Sequence, residues 1–139
     1  MSYPPCAGII VFNGDSTILV QTDALKYSFP KGKRNKGETP IEAAWRELKE
    51  ETGLTSENVQ LISDTEYIDE VSRKGLPSVR YYVGKLIKNI PKLQFDPMEL
   101  HEVEWIKVED AMKLEKFEDK RKEILKGAYD KFNFSPSST

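Results

Sequence analysis

The strongest constraint on how this chain folds is a helix whose two ends are both written into residues 39–53. Thr39 is a good N-cap, Pro40 suits the first turn, and Glu42 stands three residues after Thr39, the spacing of a capping box. Gly53 is the stop signal, because glycine most readily takes the left-handed conformation just past a helix end. With about 100° between successive residues, Ile41, Trp45, Leu48 and Thr52 fall on one stripe, and Glu47, Glu50 and Glu51 gather on the far side. The helix is therefore expected to pack Ile41, Trp45 and Leu48 inward and to present its acids outward together.

Carboxylates crowded on one face repel each other unless something positive sits among them. Oxygen ligands of this kind suit Mg2+ or Mn2+, and Mg2+ commonly shares its sphere with water and substrate phosphates. No softer metal site competes, since the chain has one cysteine, Cys6, and one histidine, His101. A solvated acidic face, neutralised by Arg46 and Lys49, is the ordinary meaning of such a run. What sets that reading aside is the rest of the pattern, because Gly32, Glu38, Arg46 and Gly53 all stand where one known motif wants them.

Gly32, Glu38, Arg46, Glu47, Leu48, Glu50, Glu51, Gly53 and Leu54 fill every specified position of the pattern G-x5-E-x7-R-E-U-x-E-E-x-G-U, with U aliphatic. In this the chain resembles the Nudix hydrolases, and the order of its predicted elements carries the resemblance over nearly the whole sequence. The resemblance implies an α/β fold, an α/β/α sandwich with a mixed β-sheet between helices. It implies a metal-dependent pyrophosphohydrolase, in which water attacks a phosphorus of a substrate built on a nucleoside diphosphate. Glu47, Glu50 and Glu51 would then be the metal ligands, with Glu51 holding most of the ion. Arg46 would fix the rotamer of one of these catalytic carboxylates, Glu38 would brace the loop–helix junction, and Gly32 would let the loop backbone come close. Family members commonly add a carboxylate about six residues before a tryptophan in the last strand. Here that is Glu99 ahead of Trp105, expected as a further ligand or general base, with Glu102 in reserve and His101 as a weaker candidate base.

Three features bear on the substrate. Lys31 and Lys33 stand at the mouth of the acidic site, where they suit a polyphosphate chain, and Lys31 resembles the P-K-G lysine of diadenosine tetraphosphate hydrolases. In 79–86, alternation puts Arg80 and Tyr82 on one face and Tyr81 and Lys85 on the other, so that a tyrosine is available to stack a base while Lys85 or Arg80 meets phosphate; core packing is the plainer role for both rings. The C-terminal layout is similar to that of the asymmetric diadenosine tetraphosphate hydrolases, with Tyr129 or Phe132 as the stacking ring. The string Phe29-Pro30-Lys31-Gly32-Lys33 looks instead like mRNA decapping enzymes, which also end their box in E-E-T-G. The expected order is a dinucleoside polyphosphate such as diadenosine tetraphosphate, then capped or 5′-triphosphate RNA, then a diphosphoinositol polyphosphate. A nucleotide-binding module without chemistry is the reading outside the enzymes.

The rest of the sequence sets the frame. At 139 residues there is room for one core, a single domain over 1–134 with a flexible tail at 135–139. A net charge of −2 gives no general polyanion-binding signature. No apolar run approaches a membrane span and Met1 to Cys6 lack a signal-peptide pattern. With Cys6 unable to pair within the chain, a cytoplasmic protein, the nucleus not excluded, is the expectation, and no protein partner is evident. Strands are expected at 6–12 and 17–21 around a turn at 13–16, with a short one leading into Phe29. After a loop at 30–38 and the helix, 58–69 and 78–88 should form a second antiparallel pair, followed by a strand at 103–107 and helices at 109–112 and 117–132.

Overall fold

Alternation along the first apolar run sends Ala7, Ile9 and Val11 to one side and Ile10 and Phe12 to the other, and all five are buried. A strand apolar on both faces belongs in the middle of a sheet covered by two layers. In the computed structural model, which describes residues 3–135, this strand is β1 (Cys6–Asn13) of an eight-stranded sheet. It turns through Gly14, at a φ of 58°, into β2 (Ser16–Gln21).

The two strands pair only next to the turn, at Phe12↔Thr17 and Asn13↔Ser16, and then splay apart. Into the gap goes a wedge: β3 (Tyr27–Ser28) runs in along β2, Phe29 and Pro30 reverse the chain, and β4 (Lys31–Lys33) runs out along β1. The loop expected at 30–38 thus contains a strand, because β1 has a free edge wherever β2 has left it. Phe29 anchors the tip of the wedge, with its ring edge-on to those of Tyr81 and Phe117.

After α1 (Pro40–Thr52), the expected strand at 58–69 is broken into β5 (Val59–Leu61) and β6 (Ile68–Val71). Both pair antiparallel with β7 (Pro77–Leu86), which itself runs parallel to β1. The strand β8 (Glu102–Lys107) closes the far edge along β2, and α2 (Val108–Ala111) and α3 (Asp119–Phe134) complete the chain. Phe117, expected inside the last helix, lies ahead of it in the core.

Two apolar clusters sit on opposite faces of this mixed sheet. One joins Ala43, Ala44 and Leu48 of α1 to Ala7, Ile9 and Tyr82; the other joins Leu125 and Ala128 of α3 to Ile10, Phe12 and Tyr81. The expected α/β/α sandwich is therefore the observed fold. Of the expected tail at 135–139, all but Ser135 lies outside the described residues, as do Met1 and Ser2. Among the described residues no helix is long and apolar enough to cross a membrane.

Candidate active site

The capping signals of α1 act as their chemistry dictates. Thr39 accepts from the Glu42 N–H, Glu42 reaches back to the Thr39 N–H, and Gly53 closes the helix at a φ of 83°. The face the helix turns inward differs from expectation. Its buried residues are Pro40, Ala43, Ala44, Leu48 and Thr52, whereas Ile41 and Trp45 are only partly buried at its flank. The inward face is rotated by roughly 70° from the Ile41–Trp45–Leu48 stripe. Small side chains explain this: the alanines let the helix settle closely on β1, which Trp45 at the same place would prevent.

That rotation corrects the expectation of three outward acids. The Glu47 side chain is 12 % exposed and faces β4, Glu51 is half-buried, and only Glu50, at 50 %, points into solvent. Glu47 lies so close over Gly32 that a Cβ there would occupy the space of its carboxylate, which is why the loop carries glycine at that position. One turn on, Glu51 Oε1 accepts the Lys31 backbone N–H at 3.0 Å.

Arg46 organises the outer side. Its Nε and Nη2 donate to the two oxygens of Glu38 at 2.7 and 2.9 Å, its Nη2 also donates to Lys33 O at 2.8 Å, and its Nη1 donates to Glu47 and Glu50 at 3.2 to 3.3 Å. The forked guanidinium thus ties β4, the loop that follows it and the helix together, and a lysine could not make this set of bonds. Glu38 in turn accepts the Asn35 N–H at 2.7 Å. The Arg46 hydrogen bonds, then the Asn35 N–H, hold the Glu38 pKa down to about 2.

Glu51 and Glu47 behave oppositely. Burial, reinforced by the charges of Glu47 and Glu99 and opposed by the Lys31 N–H, pushes the Glu51 pKa up to about 8. Burial and then Glu50 raise that of Glu47, against the pull of Arg46. Among the described residues no three His, Cys, Asp or Glu side chains stand together as a metal-holding group. Glu47 and Glu51 nevertheless form a donor set of the right kind: two desolvated carboxylates whose mutual repulsion a hard dication would relieve.

The other expected site residues divide. Glu99 is exposed on the loop before β8, and its charge is among those that raise the pKa of Glu51. Lys31 lies beside Glu51, and the Lys33 side chain is exposed while its carbonyl serves Arg46. Glu102 is exposed at the start of β8, and His101, also exposed, joins the fold through its N–H to Gln21 O at 2.7 Å.

The aromatic candidates are corrected. Tyr81 is 0 % exposed in the core beneath α3, and Tyr82, 5 % exposed, packs edge-on to Tyr67 on the other face, so neither presents a ring to a ligand. Lys85 pairs with Phe12, four residues along β1 from the Gly8↔Lys31 pair, or about 13 Å from the site. Phe132 stacks on Phe12 at 5.0 Å, and Tyr129 lies tilted against the same Phe12 ring at 5.4 Å, at that same remote end. These residues cap the second core. Sequence reasoning missed Arg121, Lys26 and Leu100, which line a cavity together with Lys31 and Glu51. Nothing local in the sequence marks Arg121, which comes from the first turn of α3.

Comparison with known proteins follows the same lines. The NUDIX domain profile matches residues 2–127. An RNA pyrophosphohydrolase of Xylella fastidiosa is 42 % identical over 67 residues, covering 45 % of this chain and 34 % of that protein. Another from Roseobacter denitrificans is 36 % identical over 70 residues, covering 48 % and 44 %. The chain thus spans less than half the length of these curated relatives. Among solved structures, a C. elegans Ap4A hydrolase in a binary complex superposes with a TM-score of 0.78 at 25 % identity, over 92 % of this chain and 97 % of that one. A NUDIX hydrolase from Nitrosomonas europaea superposes at 0.70 and 18 % identity, over 92 % and 89 %, a likeness of fold.

Proposed function

Because this chain belongs to the Nudix hydrolase family, we propose that it is a metal-dependent pyrophosphohydrolase that cleaves a phosphoanhydride bond in a dinucleoside polyphosphate such as diadenosine tetraphosphate. The observation that carries this reading is the pair Glu47 and Glu51, half-buried and turned onto the backbone of Lys31 and Gly32, with Lys31 and Glu99 beside them. Glu47 and Glu51 would hold Mg2+ or Mn2+, with Glu50 and Glu99 as additional ligands. Bound there, the ion would neutralise phosphate charge and lower the pKa of water.

The protein's own groups have definite tasks. Arg46, anchored on Glu38 and Lys33 O, sets the position of Glu47 and Glu50. Lys31, which lines the cavity that also contains Glu51, would meet the phosphate chain there. Glu99, exposed and acidic, would take a proton from attacking water, a role supported by its charge acting on Glu51. Diadenosine tetraphosphate as substrate is supported by superposition on a hydrolase of that compound over nearly the full length of both chains.

A second reading, removal of phosphates from the 5′ end of RNA, has its own support in the RNA pyrophosphohydrolases that share 36 to 42 % identity over about half of this chain. One assay separates them. Incubation with Mg2+ and diadenosine tetraphosphate should release nucleoside mono- and triphosphate. Pyrophosphate released faster from triphosphorylated RNA would favour the second reading, and no turnover of either, or of capped RNA or an inositol pyrophosphate, would leave a nucleotide-binding module.

A further inference from the structure

The wedge between β1 and β2 leaves a cavity of about 150 Å3, which reaches both faces of the sheet. Glu51 of α1 and Leu100 line it from the active-site side, and Arg121 of α3 from the other, with Lys26 and Lys31 between. Since Gly32 faces α1, alternation along β4 turns Lys31 toward the α3 side, where Arg121 stands. Its charged lining is therefore three cations against one acid, Glu51.

Arg121 is anchored by an ion pair with Glu70 that does not use all of its donors. Glu70, 4 % exposed on β6, takes Nε at 2.9 Å and Nη2 at 3.3 Å. This fixes the plane of the guanidinium and leaves Nη1 with no hydrogen bond among the described residues, only a long ion pair with Glu118 Oε1 at 3.9 Å. A rigid guanidinium with a spare donor edge, lining a cationic cavity that also contains Glu51, suits a phosphate oxygen.

We propose that this cavity is a binding subsite for substrate phosphates beyond the bond that is cleaved, and that Arg121 is the side chain that binds them. The proposal rests on the pyrophosphohydrolase reading above and adds to it a second anchor, on the opposite side of the sheet from α1. The cavity takes phosphate groups and leaves the nucleoside outside it. Substrates with a long phosphate chain would engage both anchors and short ones only the first.

The test separates binding from turnover. Inorganic triphosphate, titrated calorimetrically into the Mg2+-loaded protein, is the probe, and diadenosine tetraphosphate kinetics are read alongside. Two variants are needed. R121K keeps a cation beside Glu70 but loses the fork; the double variant E70Q/R121Q removes both charges and leaves no lone buried one. Triphosphate should bind roughly tenfold more weakly to the double variant, the loss of one charge-assisted hydrogen bond. R121K should weaken it several-fold, with KM rising and kcat little changed, and thermal melts confirm that each variant is folded. Were Arg121 only the counter-ion of Glu70, the neutral pair would bind triphosphate as the wild type does, and that result overturns the proposal. Arg121-dependent triphosphate binding by a protein that cleaves no anhydride would sustain the subsite and remove the hydrolase reading instead.

Discussion

Glu51→Gln should make the metal-free protein more stable and at the same time inactive. Burial and neighbouring acids raise the pKa of Glu51 from about 4.5 to about 8 in the folded chain. A carboxyl whose pKa is raised by folding gains stability from its proton, so the contribution is whole below about pH 4.5, declines as pH rises, and is gone above about pH 8. A tenfold change in proton affinity on folding is worth about 1.4 kcal/mol, so the cost at pH 8.5 is on the order of 3–5 kcal/mol. A glutamine has no charge to desolvate, and its carbonyl can still accept the Lys31 N–H that Glu51 accepts at 3.0 Å. Allowing about 1 kcal/mol for the buried amide group, the variant should gain roughly 2–4 kcal/mol at pH 8.5 and less than about 1 kcal/mol at pH 5. For a chain of this length that is a rise in Tm of roughly 10 °C at the higher pH.

The assay is thermal unfolding in EDTA at pH 5, 7 and 8.5, on wild type and variant together, so that other titrating groups cancel in the difference. Relief of repulsion on Glu47 acts in the same direction. Mg2+ should then raise the Tm of the wild type more than that of the variant, and turnover should fall by several orders of magnitude. Equal stability of the two proteins across this range, or a less stable variant at pH 8.5, would refute the placement of a desolvated charge at Glu51. Wild-type turnover in the variant would place the metal elsewhere.

Three further outcomes follow from the geometry. Gly32→Ala puts a methyl group where the Glu47 carboxylate lies, so turnover should fall about a hundredfold while the Tm moves by only a few degrees; wild-type rates would mean Glu47 need not hold its place. Glu99→Gln should lower kcat less than Glu51→Gln does and flatten the acid limb of the pH–rate profile, and an unchanged profile would remove Glu99 as the base. Phe132→Ala should cost about 2–4 kcal/mol by denaturant unfolding, because its ring stacks on Phe12 at 5.0 Å, and leave KM unchanged; a raised KM would return Phe132 to the substrate site.

Fold class and the reacting end of the site were legible in the residues because the signals that encode them are local. Thr39, Glu42 and Gly53 satisfy the helix ends within a few residues of themselves, so their meaning does not depend on the rest of the chain. Gly32, Glu38, Arg46 and Glu47 could be read as one unit because contiguous sequence carries them on a loop and the helix it enters. Strand positions were legible from alternation, but not the break between β5 and β6, nor β4 within a loop, since each depends on which edge of β1 or β7 is free.

By itself, then, the sequence determined that a capped acidic helix follows a glycine-bearing loop, and that the chain forms an α/β domain of the Nudix kind. Only the tertiary structure decided which side of that helix faces in, because Ala43 and Ala44 permit a close approach that hydrophobic periodicity cannot express. It likewise sent Tyr81, Tyr82 and Phe132 into the two cores and brought Arg121 to a cavity shared with Glu51. A side chain's surroundings are set by strands and helices distant in sequence, as Glu70 and Arg121 are, and contacts at that separation leave no local pattern to read.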